Sequence, residues 1–119
     1  MRLATAGDCR KFVGALMYVA RATRPDATYA VNKLARGVSC WSKASDAELA
    51  HVVGHLSATE GHGLCMNVDV RDKKEDLWLE LWVDADHAGG DDRKSTGGWA
   101  LLPRGGHGTK VALDWASKK

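Results

Sequence analysis

Acidic residues gather in one stretch, Val83-Asp84-Ala85-Asp86-His87, with Asp91-Asp92 a few positions on. Carboxylates converging in space are what a hard divalent cation requires. Asp84 and Asp86 are two apart, so on a strand they share one face. Residue types alone favour a plainer reading, aspartates that end a strand and start a turn. His51 and His55 stand at i and i+4 and would share a helix face. A zincin helix also needs Glu directly after the first His, and Val52 is there instead. With no third ligand evident, these read as surface or groove histidines. Gly105-Gly106-His107-Gly108 lies between strand patterns and opens no helix, so it reads as a hairpin turn and not a phosphate loop.

Cations and aromatic residues flank the acidic stretch. The net charge of +2 divides into +6 over residues 1–43, −9 over 44–92 and +5 over 93–119. Basic ends around an acidic middle would suit a polyanion held beside carboxylates. On charge alone a solvated mixed surface is the simpler account. Arg93, Lys94, Lys118 and Lys119 are the candidate phosphate contacts. Trp78 and Trp82 share one strand face, with Trp99 and Trp115 on neighbouring strands. Tryptophans so placed could stack on bases. The preferred reading is a face covered by other protein, with Trp78 and Trp82 as the interface, because large exposed apolar patches imply a partner.

Positioning these residues requires two kinds of element. Phe12, Val13, Leu16, Met17 and Ala20 form a helical stripe. Pro25 suits the first turn of a second helix that turns Ala27, Val31, Leu34, Ala35 and Val38 inward. Ser45-Asp46-Ala47-Glu48 has the capping-box pattern and precedes Leu49, Val52, Val53 and Leu56 at helical spacing. Beyond residue 62 the period becomes two. Leu77, Leu79, Leu81, Val83 and Ala85 alternate with Trp78, Glu80, Trp82, Asp84 and Asp86. Further strands are expected at Gly98–Pro103 and Lys110–Ser117, with a weaker one at Leu64–Val70. The fold class is therefore α+β: three N-terminal helices over 1–62, then an antiparallel sheet over 63–119. The aliphatic row Leu77 to Val83 is expected to pack on helices.

Composition excludes several classes. Hydrophobic residues are 45% and charged residues 27% of 119, an ordinary globular balance. No apolar run approaches the ~20 residues of a membrane span. Cys9, Cys40 and Cys65 are odd in number and form no Cys-x-x-Cys, against a disulfide framework or cysteine zinc site. They read as buried or half-buried apolar residues in an intracellular, reducing compartment.

The stretch Val83-Asp84-Ala85-Asp86-His87-Ala88-Gly89-Gly90-Asp91-Asp92-Arg93-Lys94-Ser95-Thr96-Gly97-Gly98, with Trp115-Ala116-Ser117-Lys118-Lys119 after a glycine turn, resembles the start of RNase H in copia-type retrotransposon polyproteins. Upstream, Val13 to Ala20, Ala22-Thr23-Arg24-Pro25-Asp26 and Tyr29 to Arg36 resemble the end of the reverse-transcriptase connection. The resemblance implies a truncated RNase H-like fold in 63–119 and a helical connection segment in 1–62. It makes Asp84 the first catalytic, metal-binding aspartate and Asp86 a neighbouring metal position. It implies Mg²⁺ in the parent enzyme and two-metal hydrolysis of RNA in an RNA–DNA hybrid.

Departures from the family pattern limit that reading. His87 replaces the family's tryptophan after Asp-Ala-Asp. The third helix carries no Lys or Arg from Ala47 to His55, where the family is rich in them. The family's catalytic glutamate and later acids lie beyond Lys119. The expectation is a chain inactive alone, binding no Mg²⁺ by itself, whose partner is the rest of the polyprotein or a larger protein assembly. The alternative is a retroelement-derived structural or interaction subunit.

Overall fold

A computed structural model describes residues 8–87 and 93–119, which divide into two compact units at Gly63/Leu64. The order is three helices followed by a three-stranded antiparallel sheet, the α+β arrangement expected from the change of period. Among the described residues no helix is long and apolar enough to cross a membrane.

In the first unit, α1 spans Cys9–Ala22, α2 spans Thr28–Arg36 and α3 spans Lys43–Ala58. Their apolar stripes close on one cluster of Val13, Ala20, Ala27, Val31, Leu34, Leu49 and Val52. Leu16, Ala35, Val38, Trp41 and Leu56 pack around it, half-buried. Phe12, Met17 and Val53, expected on the buried stripe, are exposed instead. Three short helices have room inside for one row of side chains each, and these three flank those rows. Pro25 starts a 3-10 turn, Pro25–Ala27, that leads into α2.

The N-cap of α3, Ser42, lies three residues before the expected cap, Ser45. Ser42 is extended, at φ −129° and ψ 174°, the conformation an N-cap needs. Its hydroxyl accepts from Ser45 N at 3.2 Å, and Ser42 N donates to the Ser45 hydroxyl at 3.3 Å. Ser45 is thus the answering residue of the box rather than its cap. Glu48 is left to pair with Lys33 of α2 at 3.0 Å.

In the second unit, β1 is Trp78–Asp86, β2 is Thr96–Arg104 and β3 is Asp114–Lys118, in the order β1-β2-β3. β1 pairs with β2 from Trp78↔Arg104 to Asp86↔Thr96, without a bulge. β3 is shorter than expected. Val111 N and Leu113 N still donate to Pro103 O and Leu101 O, but Pro103 has no N–H to return. The expected strand Leu64–Val70 reduces to one bridge, Asn67↔Lys110. Val68 and Val70 are exposed, so this segment has no apolar face to bury.

Within the sheet unit the aliphatic row of β1 stays open. Leu79, Leu81 and Val83 are 60% or more exposed. Period two establishes a two-faced strand, but what covers either face is a tertiary matter. Of the cysteines, Cys9 is buried, whereas Cys40 and Cys65 are exposed, not half-buried as expected, and all three are free.

Leu49, 1% exposed at the centre of the helical cluster, gives the fold its test. Leu49→Ala should lower the unfolding free energy of the helical unit by about 2–5 kcal/mol. Urea unfolding followed by helical circular dichroism measures this. A cost below ~1 kcal/mol would place Leu49 outside the core.

Candidate functional site

β1 carries the candidate site on one face. Trp78, Glu80, Trp82, Asp84 and Asp86 alternate with the aliphatic row. Asp84 lies opposite Gly98, and Gly98 lies opposite Ser117 of β3. With no side chain at Gly98, the sheet beside the Asp84 carboxylate stays open. Asp84 Oδ1 accepts from Ala85 N at 2.8 Å, and both Asp84 and Asp86 are exposed. Ser95 and His87 join across the loop base at 3.2 Å. Asp91 and Asp92 of the motif lie outside the described residues.

The aromatic part of this face is partly anchored. Trp82 Nε1 donates to Glu80 Oε1 at 2.6 Å, and Arg104 Nη1 donates to Glu80 Oε2 at 3.2 Å. Trp78 and Trp82 are 48% and 63% exposed. The register puts Trp115 on their face, opposite Ala100, where it is buried. Trp99 instead falls on the aliphatic face, between Val83 and Ala116. The four sheet tryptophans therefore do not form one surface.

The candidate cations are also divided. Arg93 takes a positive φ of 53°, the one described non-glycine residue to do so, and Lys94 follows it in the loop entering β2. Lys118 lies opposite Gly97 and so on the face away from Asp84. Lys119 ends the chain beyond β3.

A divalent cation is not fully provided for. Among the described residues no three His, Cys, Asp or Glu side chains come together to hold a metal. Asp84 and Asp86, alternating along one extended strand, stand about 6–7 Å apart. They offer part of a ligand set and do not fit a two-metal site by themselves. The two histidines of α3 are not brought together either. His55 Nε2 meets Asp26 Oδ2 at 2.9 Å, while His51 lines a groove of about 410 Å³ with Tyr29, Lys33, Leu34 and Val52.

Two buried charge clusters had no signal in the sequence. Arg24, 7% exposed, makes a fork to both Asp26 oxygens at 3.0 and 2.8 Å and donates to Thr59 O and Oγ1 at 3.1 and 2.7 Å. The Arg24 guanidinium, then the His55 hydrogen bond, hold the Asp26 carboxyl well below the usual carboxylate range. In the sheet unit the Asp72 side chain is only 2% exposed. It accepts from Thr109 N at 3.1 Å, and from His107 N and Nδ1 at 2.9 Å each. Thr109 first, then His107, hold its carboxyl well below the usual range against the opposing effect of burial. A Cβ on Gly105 would collide with this carboxylate. Asp72 looks like one more charge in Arg71-Asp72-Lys73-Lys74-Glu75-Asp76. Only the approach of the glycine turn makes it a buried group.

No family model and no solved structure matches the chain. The chain is 34% identical over 119 residues, 99% of its length, to the retrovirus-related Pol polyprotein from transposon RE1 of Arabidopsis thaliana. It is 35% identical over 94% of its length to that from transposon RE2 of the same plant. It is 34% identical over 89% of its length to that from transposon TNT 1-94 of Nicotiana tabacum. The class defined is thus a retroelement polyprotein segment. The chain belongs to the retrovirus-related Pol polyproteins of copia-type transposons, as the resemblance implied. It spans 7% of the length of each of these relatives.

The paired carboxylates set a pH dependence. Asp26 and Asp72 have depressed folded values, and Asp69, beside the Arg71 guanidinium, is lowered to about 2. A depressed carboxylate contributes its full stability above its unfolded pKa of about 4 and loses it as pH falls through the folded value. Thermal midpoints should therefore be flat from pH 7 to about 5 and fall steeply below about pH 4. Asp72→Asn should lower the midpoint at pH 7 and flatten that acid limb. Tryptophan fluorescence melts across this range measure both, and an acid limb unchanged by the substitution would show that Asp72 is not responsible.

Proposed function

We propose that residues 1–62 are the end of a reverse-transcriptase connection and residues 63–119 the first strands of an RNase H-like domain within a Pol polyprotein. The observation that carries this reading is Asp84, late in β1 on an open sheet face beside Gly98, in a chain related over nearly its whole length to copia-type Pol. Asp84 would supply the first carboxylate of the catalytic centre and Asp86 a neighbouring one. The Mg²⁺ of such enzymes activates water and stabilises a leaving oxygen when the full ligand set is present. The remaining acids would come from Pol sequence outside this chain. Arg93, Lys94 and Lys119 would hold phosphates of an RNA–DNA hybrid, with Lys118 excluded from the Asp84 side by its register.

The second reading is a retroelement-derived interaction subunit of a larger assembly. It is favoured by the exposure of Trp78 and Trp82. Covering those rings with protein would be insensitive to salt, whereas phosphate contacts weaken steeply as salt rises.

Cleavage of an RNA–DNA hybrid separates these roles. The 119-residue chain should give no cleavage in Mg²⁺ or Mn²⁺. A longer Pol chain that continues past Lys119 should cleave, and Asp84→Asn in it should leave only background activity. Cleavage by the short chain that Asp84→Asn abolishes would overturn the claim of inactivity. Full activity of the longer chain with Asp84→Asn would overturn the assignment of Asp84.

A further inference from the structure

Two kinds of glycine occur in the sheet unit. Gly105 and Gly108 are required by the fold, one by the Asp72 carboxylate against it and the other by its φ of +107°. Gly97 and Gly98 are not. Neither has a positive φ. Among the described residues, a Cβ on Gly98 would meet only Ala116 O, at 3.7 Å, and one on Gly97 only Asp84 O and Lys118 O, at 4.0 Å each. Those are ordinary van der Waals distances. Yet both glycines lie in β2, the central strand, where a missing side chain weakens a sheet. A strand glycine that no neighbour demands marks the close approach of something else.

Register separates the two. Gly98 shares a row with Asp84 and Ser117, whereas Gly97 shares the opposite face with Ala85 and Lys118. Around Gly98 the sheet therefore forms a shallow trough. Its floor is bare backbone. Its walls are the Asp84 and Ser117 side chains, a carboxylate and a hydroxyl, on strands two spacings or roughly 9–10 Å apart.

We propose that Gly98 is a specificity-determining residue, the floor on which the sugar–phosphate backbone of the strand to be cut lies beside Asp84. This role rests on the RNase H-like reading of residues 63–119. The polar walls favour nucleic acid over a packed segment of Pol. Apolar side chains set on Gly98 would take the Asp84 carboxylate out of water unpaired, which is a costly burial. A sugar–phosphate backbone arrives with hydroxyls and ordered water, and it keeps that carboxylate solvated. A Cβ at Gly98 would stand in the trough and displace the strand by on the order of 1.5 Å. A Cβ at Gly97 would project from the other face and leave the trough unchanged.

Melting and cleavage of the same variants test this. In the 119-residue chain, Gly98→Ala and Gly97→Ala should each raise the thermal midpoint by about 2–6 °C. In a longer Pol chain that continues past Lys119, both should hold or raise the midpoint. There Gly98→Ala should lower kcat/KM on an RNA–DNA hybrid about tenfold and Gly98→Val about a hundredfold, while Gly97→Ala leaves it unchanged. A lower midpoint for Gly98→Ala in either chain would show that protein needs the space, and would overturn the role. Equal losses of cleavage from Gly97→Ala and Gly98→Ala would trace the effect to the strand and not to clearance, and would overturn it too. Undiminished cleavage by a folded Gly98→Ala chain would overturn the role and leave the assignment of Asp84 standing. A longer wild-type chain that does not cleave would instead overturn the RNase H-like reading, and the role with it.

Discussion

A charge taken out of water must find its partners, and each unit is arranged around one that has. In the helical unit it is the Arg24 guanidinium, held by Asp26 and by the backbone and hydroxyl of Thr59. In the sheet unit it is the Asp72 carboxylate, held by His107 and Thr109. Removing a partner from such a group leaves an uncompensated buried charge, which costs far more than the intact pair contributes. The surrounding geometry is constrained accordingly. Arg24 ties the turn between α1 and α2 to the C-terminal end of α3. Asp72 requires a bare Gly105 in the turn that follows β2.

The consequence for the sheet is a fixed connection between β2 and β3. Gly108 at φ +107° lets the chain reverse, and Gly105 N donates to Thr109 O at 2.9 Å. Asn67 and Asp69 add four hydrogen bonds to the same turn, two with Lys110 and one each with Gly108 O and the Thr109 hydroxyl. A segment with almost no strand of its own thereby fastens the hairpin from one side. Register then decides which residues share a face. It sets Asp84, Gly98 and Ser117 in one row and Val83, Trp99 and Ala116 in the next.

The two units contrast in how well they bury apolar surface. The helical unit has a closed cluster, with Val31, Leu34 and Leu49 at 1–2% exposure. Both faces of β1 stay open, although they carry three aliphatic residues and two tryptophans. Within its own sheet β1 keeps this apolar surface uncovered.

Period and punctuation alone were enough to determine three helices followed by strands, and the placing of Asp84, Asp86, Trp78 and Trp82 on one face of one strand. Such features depend on neighbours a few residues apart, so they survive in a linear reading. The motif around Asp84 and the helical segment upstream were likewise enough to indicate the retrotransposon relationship. What covers a face, and where Trp99 and Lys118 point, depended on tertiary structure. Each is settled by a partner distant in sequence or by strand register, and neither leaves a periodic trace. The burial of Asp72 is the clearest case. Its three donors lie more than thirty residues away, and until the turn closes over it, it is one charge among many in a solvated run.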